Sequence, residues 1–116
     1  MEIEIHTVAH VTVVSLAGQL DTNTSREVQS QLLPRVEPEG QMVLDLSGVD
    51  YMSSAGLRVL LSLYRHTSNQ HGSLVMVGVA EEIRDTMEVT GFWDFFQVCD
   101  TLEQALARLG ATPAGS

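Results

Sequence analysis

Residues 43–61, VLDLSGVDYMSSAGLRVLL, constrain the fold more than any other stretch, because the hydrophobic period changes within them. Residues 42–46 are a short, nearly unbroken apolar run, the pattern of a strand covered on both faces. Ser47 and Gly48 supply the turn chemistry expected to end it. From Ala55 onward Leu57, Leu60, Leu61 and Tyr64 recur at i, i+3, i+4 and i+7. Arg58, Ser62, Arg65 and Asn69 fall on the opposite side, which describes an amphipathic helix with one wet face. Ser53 is the natural N-cap of that helix, and Ser54 falls in its first turn, where unpaired N–H groups and the helix dipole favour an anion. On spacing alone, capping accounts for both serines.

The flanking sequence builds a sheet around this junction. Residues 2–6 alternate as a half-buried strand does, and residues 11–17 are a second apolar run rich in β-branched residues. With a turn at Val8, Ala9 and His10, the two form an antiparallel hairpin. A helix is predicted over 24–33, with Pro34 ending it and residues 37–40 looping into the central strand. After the central helix, 73–79 read as a buried strand and 81–90 as a helix with Gly91 as its stop. Phe92, Trp93, Phe95 and Phe96 are expected to plug the core edge, and 96–98 to form a short last strand. Overlapping capping boxes at Asp100 and Thr101 precede a final helix carrying Leu102, Ala105, Leu106 and Leu109. The order β, β, α, β, α, β, α, β, α predicts an α/β domain whose sheet is mixed and mostly parallel, with an antiparallel N-terminal edge and about four helices. The domain spans 1–110 and 111–116 form a flexible tail. In such sheets the functional crevice lies beyond the carboxyl ends of the parallel strands, where Ser54 sits.

Composition narrows the partners. All six basic residues are arginines, and fifteen carboxylates leave a formal net charge of −9. Nucleic acid and anionic membranes are poor partners for such a surface, and a basic protein is a better one, although solubility alone also explains acidity. No apolar run approaches the ~20 residues needed to span a bilayer, so a cytoplasmic protein is expected. The lone Cys99 lies near an apolar run and reads as a small buried hydrophobe. The edge strand at 2–6 could pair with a neighbour, which leaves a monomer or a weak dimer.

Catalytic chemistries find little support. A nucleophile elbow needs glycine on both sides of its serine; Gly56 is present but Met52 stands at the other position. A phosphate-binding loop and Schiff-base chemistry both require a lysine, and the chain has none. One cysteine and four scattered histidines give no metal-ligand spacing. No enzyme activity, cofactor or metal is therefore expected. Three acids remain near the junction. Asp21 fits a helix cap and Asp50 a turn former, whereas Asp45, inside an apolar strand, needs hydrogen-bond donors and is assigned an orienting role.

The run 43–61, preceded by Gly18-Gln19-Leu20-Asp21 and followed by Glu88-Val89-Thr90-Gly91-Phe92, resembles the STAS domain family, in particular bacterial anti-sigma factor antagonists. The resemblance covers nearly the whole chain. It implies a partner switch: an anti-sigma factor serine kinase of histidine-kinase-like ATPase fold binds the domain and phosphorylates one serine, and a metal-dependent serine phosphatase resets it. The unphosphorylated domain would sequester the kinase and free its sigma factor. The family pattern Asp-Ser-Ser/Thr-Gly-Leu, laid on Ser53-Ser54-Ala55-Gly56-Leu57, makes Ser54 the phosphoacceptor with Ser53 as rival. Ser53 stands where Asp is common and Ala55 where a hydroxyl residue is common. Asp21 and Asp45 match acidic positions flanking the acceptor, and Ala55, Gly56, Leu57 and Arg58 complete the expected partner-binding environment. The alternative is a constitutive STAS-type scaffold subunit of a transporter or signalling complex, in which Ser54 is only a helix-start residue.

Overall fold

The computed structural model describes residues 1–110, so the tail expected at 111–116 lies outside the described residues. A five-stranded sheet has the order β1 (Glu2–Val8), β2 (Val11–Leu20), β3 (Gln41–Met52), β4 (Ser73–Val77), β5 (Gln97–Cys99). The β1–β2 pair is antiparallel and the remaining pairs are parallel, so the expected architecture and its hairpin edge are both present. The hairpin turns through Ala9 and His10, both at positive φ, as a two-residue turn matched to strand twist requires.

Helices α1 (Thr22–Leu32), α2 (Ser54–Asn69) and α3 (Glu81–Val89) cross over one face of the sheet; α4 (Leu102–Arg108) covers the other. The larger core lies under the first three. Leu44 and Leu46 of β3, Val28 and Leu32 of α1, Leu60 and Leu63 of α2 and Met87 of α3 are nearly solvent-free within it. The smaller core joins Val13, Val43, Val75 and Cys99 to Ala105 and Leu106 of α4. Cys99 is thus the buried apolar residue expected.

Several boundaries differ from the sequence reading, and the differences share a cause. Ser47 and Gly48 do not end the central strand, which runs on to Met52 and includes Asp50. Ser15 faces Asp45 and Leu20 faces Met52, so five steps of β2 match seven of β3. Two bulge-like register shifts absorb the difference, and the polar residues read as a turn are extra residues inside a ladder. Gly48 permits the first of them, because a Cβ there would lie 2.8 Å from the Ala17 Cβ and 2.9 Å from the Leu16 carbonyl oxygen. Likewise β2 continues past residue 17 to Leu20, and α1 starts at Thr22 rather than 24. Strand β4 stops at Val77, where Gly78 takes a φ of 69° against Ser47. Of the aromatic group Phe96 is buried, Phe92 and Trp93 are half-buried against the core, and Phe95 remains exposed.

Gly48→Ala should therefore lower stability by about 1–3 kcal/mol, because the Ala17 Cβ and the backbone atoms beside it can make room only if the backbone of β2 shifts. Urea unfolding followed by circular dichroism measures this, and an unchanged midpoint would show that the bulge has room.

Candidate functional site

The C-terminal ends of β2 and β3 meet at the starts of two helices. Asp21, directly after β2, is the N-cap of α1: its carboxylate accepts from the N–H groups of Asn23 and Thr24, both at 3.0 Å. The Thr24 hydroxyl returns the contact by accepting from the Asp21 N–H at 2.9 Å, which completes a reciprocal capping box. Ser53, directly after β3, is the N-cap of α2, and its Oγ accepts from the Gly56 N–H at 3.3 Å.

Leu20 ties these two starts together. The Ser53 N–H donates to the Leu20 carbonyl at 2.9 Å. Gly56 passes so close that a Cβ there would lie 2.7 Å from the same oxygen and 2.9 Å from Met52 Cγ. Glycine at this position lets the first turn of α2 lie against the end of β2. Leu57 is buried behind it, and Ala55 is half-buried. On the outside, Ser54 and Arg58 are exposed one helical turn apart. The two serines are therefore unlike: Ser53 is half-buried and spends its oxygen on the cap, while Ser54 faces solvent at the helix's positive end.

Asp45 stands apart from this constellation. Its carboxylate accepts from the Ser47 N–H at 3.0 Å and the Ser47 hydroxyl at 2.7 Å, so it orients the first bulge of its own strand. Five residues of the paired strand β2 separate its level from that of Met52, roughly 17 Å at ~3.3 Å per residue. It borders a cleft with Glu2, Glu4 and Ser15 instead. Asp45, which the resemblance matches to an acidic position flanking the acceptor, lies two residues after Val43 of the α4-side core, while α2 packs on the opposite face.

Sequence reading also missed a groove beside the junction. The end of β3 (Asp50, Tyr51, Met52), Leu57 of α2 and Glu82, Ile83 and Thr86 of α3 enclose about 210 Å³. Tyr51, exposed at the end of β3, gives the groove its aromatic residue. Among the described residues, no three His, Cys, Asp or Glu side chains cluster closely enough to hold a metal ion, and no helix is long and apolar enough to cross a membrane.

Hydrogen bonding lowers the Asp21 pKa below the ordinary 3.8; the Thr24 N–H contributes most, with the Thr24 hydroxyl and Asn23 N–H assisting against desolvation. A depressed carboxylate pKa gives stability that is present above the unfolded value and is lost as pH falls through the folded one. Asp21→Asn, which keeps a good cap, should flatten the acid side of the stability profile below about pH 4, read by thermal melts across pH. The serines give a second test. Ser53→Ala should cost about 1 kcal/mol in chemical denaturation, whereas Ser54→Ala should leave stability within about 0.5 kcal/mol of wild type.

Comparison with known proteins places this arrangement. The STAS domain profile matches residues 2–105. The proposed anti-sigma factor antagonist BtrV of Bordetella bronchiseptica is 30% identical over 108 residues, covering 92% of this chain and 93% of BtrV. The crystal structure of an anti-sigma factor antagonist from Mycobacterium paratuberculosis superposes with a TM-score of 0.83 at 25% identity, over 94% of this chain and 93% of that one. Bacillus SpoIIAA in its phosphorylated form shares the fold at a TM-score of 0.72 and 16% identity, over 93% of this chain and 99% of that one. The chain belongs to the STAS domain family.

Proposed function

We propose that this chain is an anti-sigma factor antagonist, a non-enzymatic cytoplasmic regulator that binds an anti-sigma factor serine kinase and is switched by phosphorylation of Ser54. The observation that carries the reading is the contrast between the two serines: Ser53 holds the helix start, and Ser54 presents its hydroxyl beside it at the surface. BtrV and the mycobacterial protein, both described as anti-sigma factor antagonists, support the partner class. SpoIIAA, known in a phosphorylated form, supports the modification.

Physical chemistry favours the same assignment. A phosphoserine carries about −1.5 to −2 charges and three acceptor oxygens. At position 54 it meets the N-terminal end of a 16-residue helix, and Arg58 stands one turn on to pair with it. The fold therefore accepts the phosphate, and the partner experiences the change. A metal-dependent serine phosphatase would reverse it. Asp21, Ala55, Gly56, Leu57 and Arg58 shape the surface that the kinase meets, while Asp45 contributes only by fixing β3. The domain proper is assigned to 1–110.

Two measurements test the reading. Intact mass of the protein from its native cells, before and after phosphatase treatment, should reveal a phosphatase-sensitive phosphoryl group that peptide mapping places on Ser54. Absence of modification across growth and stress conditions would favour a constitutive scaffold. Ser54→Asp should weaken binding to the kinase at least tenfold while leaving the melting temperature within a few degrees of wild type. Equal affinities would remove the switch.

A further inference from the structure

We propose that the groove between the end of β3 and α3 is a second subsite of the kinase-binding face and takes an arginine side chain from the partner. This inference rests on the proposed partner class and extends it to a part of the surface that the phosphoacceptor does not touch. The groove adjoins the acceptor helix, since Leu57, three residues after Ser54, forms part of its floor with Met52 and Ile83. Leu57 and Ile83 are only 5% and 6% exposed, so the floor is apolar and fixed by the main core. Asp50 and Glu82, both exposed, also line it, one from the strand and one from the helix.

Tyr51 forms the wall and is 51% exposed, an unusual outlay of aromatic surface for a strand residue. An apolar floor, an aromatic wall and two lining carboxylates match an arginine, whose stem packs on apolar surface while its guanidinium stacks on a ring and pairs with carboxylates. The chain itself leaves that role open. None of its six arginines lines the groove, and Arg84, on the same helix, is engaged by Glu88 at 2.9 Å and lies over the Trp93 ring at 5.0 Å. The groove, at about 210 Å³, has room for one long side chain. Tyrosine and arginine are the residues around which binding energy concentrates at interfaces, so Tyr51 is placed as an anchor of the complex.

The test uses the full chain titrated calorimetrically with the recombinant histidine-kinase-like serine kinases of the source genome. Three variants are compared with wild type: Tyr51→Ala, the pair Asp50→Asn with Glu82→Gln, and a control pair of exposed acids that do not line the groove, Glu39→Gln with Glu103→Gln. Circular dichroism melts establish that each remains folded. Loss of at least tenfold affinity in the first two, with the control pair unchanged, supports the subsite. A further prediction is that the groove pair shows a weaker dependence of affinity on salt than wild type. Affinity retained in Tyr51→Ala and in the groove pair overturns the subsite and leaves the partner reading standing. Equal losses in the groove and control pairs also overturn it, because net charge would then explain the effect. If wild type binds none of the kinases, the partner reading itself fails, and with it the arginine assignment.

Discussion

The Leu20 carbonyl is the point on which the junction depends. It accepts the Ser53 N–H, and the same oxygen limits how close α2 can come, so that only glycine fits at position 56. One residue later the chain turns into α1 under the Asp21 cap. A single strand end thereby fixes the origin of two helices, both packed on the same core. Position 54 inherits this precision without contributing to it: the cap is on one side, the glycine contact on the other, and the residue is exposed. A site held in this way can change charge without changing shape.

Much of the fold was legible because its signals were periodic. Leu57, Leu60 and Leu61 at helical spacing located α2, and the apolar run at 42–46 located the core of β3. The Asp21 and Ser53 caps were legible for a chemical reason, since a side-chain oxygen ahead of an apolar helical pattern has few other uses. What misled was local chemistry that served a different end. Ser47 and Gly48 carry turn propensity, but beyond Asp45 the strand still pairs with β2, and along that ladder the propensity is realised as a bulge. Once the strand is extended in this way, Asp45 is carried down the sheet and Asp50 and Tyr51 are brought to its upper edge. Neither consequence can be read from spacing, because each depends on the register with β2. The groove was hidden for the same reason, as its walls come from β3, α2 and α3, brought together only by crossovers.

The two faces of the sheet differ in a way that suits a binding module. Under α1, α2 and α3 the sheet is covered by the larger core, so α2 rests on the more extensive of the two packed faces. Under α4 the covered area is smaller, and near β1 the exposed positions are carboxylates such as Glu2 and Glu4. The proposed kinase-binding surface thus lies over the larger core. That arrangement limits how far a charge at Ser54 can distort the chain, because packed interiors resist small displacements.

On the proposed reading, this rigidity decides how the switch acts. If the phosphate melted the start of α2, the Leu20 contacts would be lost along with the cap, and the modification would work by unfolding the surface. The positive helix end and Arg58 oppose that outcome by stabilising the added charge where it forms. What remains is a change in the potential and shape presented to the partner, at a point next to a groove that keeps its own carboxylates and tyrosine. Affinity and switching are then carried by different residues: the groove supplies attraction that phosphorylation leaves in place, and Ser54 supplies the term that phosphorylation alters. Separating the two lets a single charged group release a partner without dismantling the surface that must recapture it.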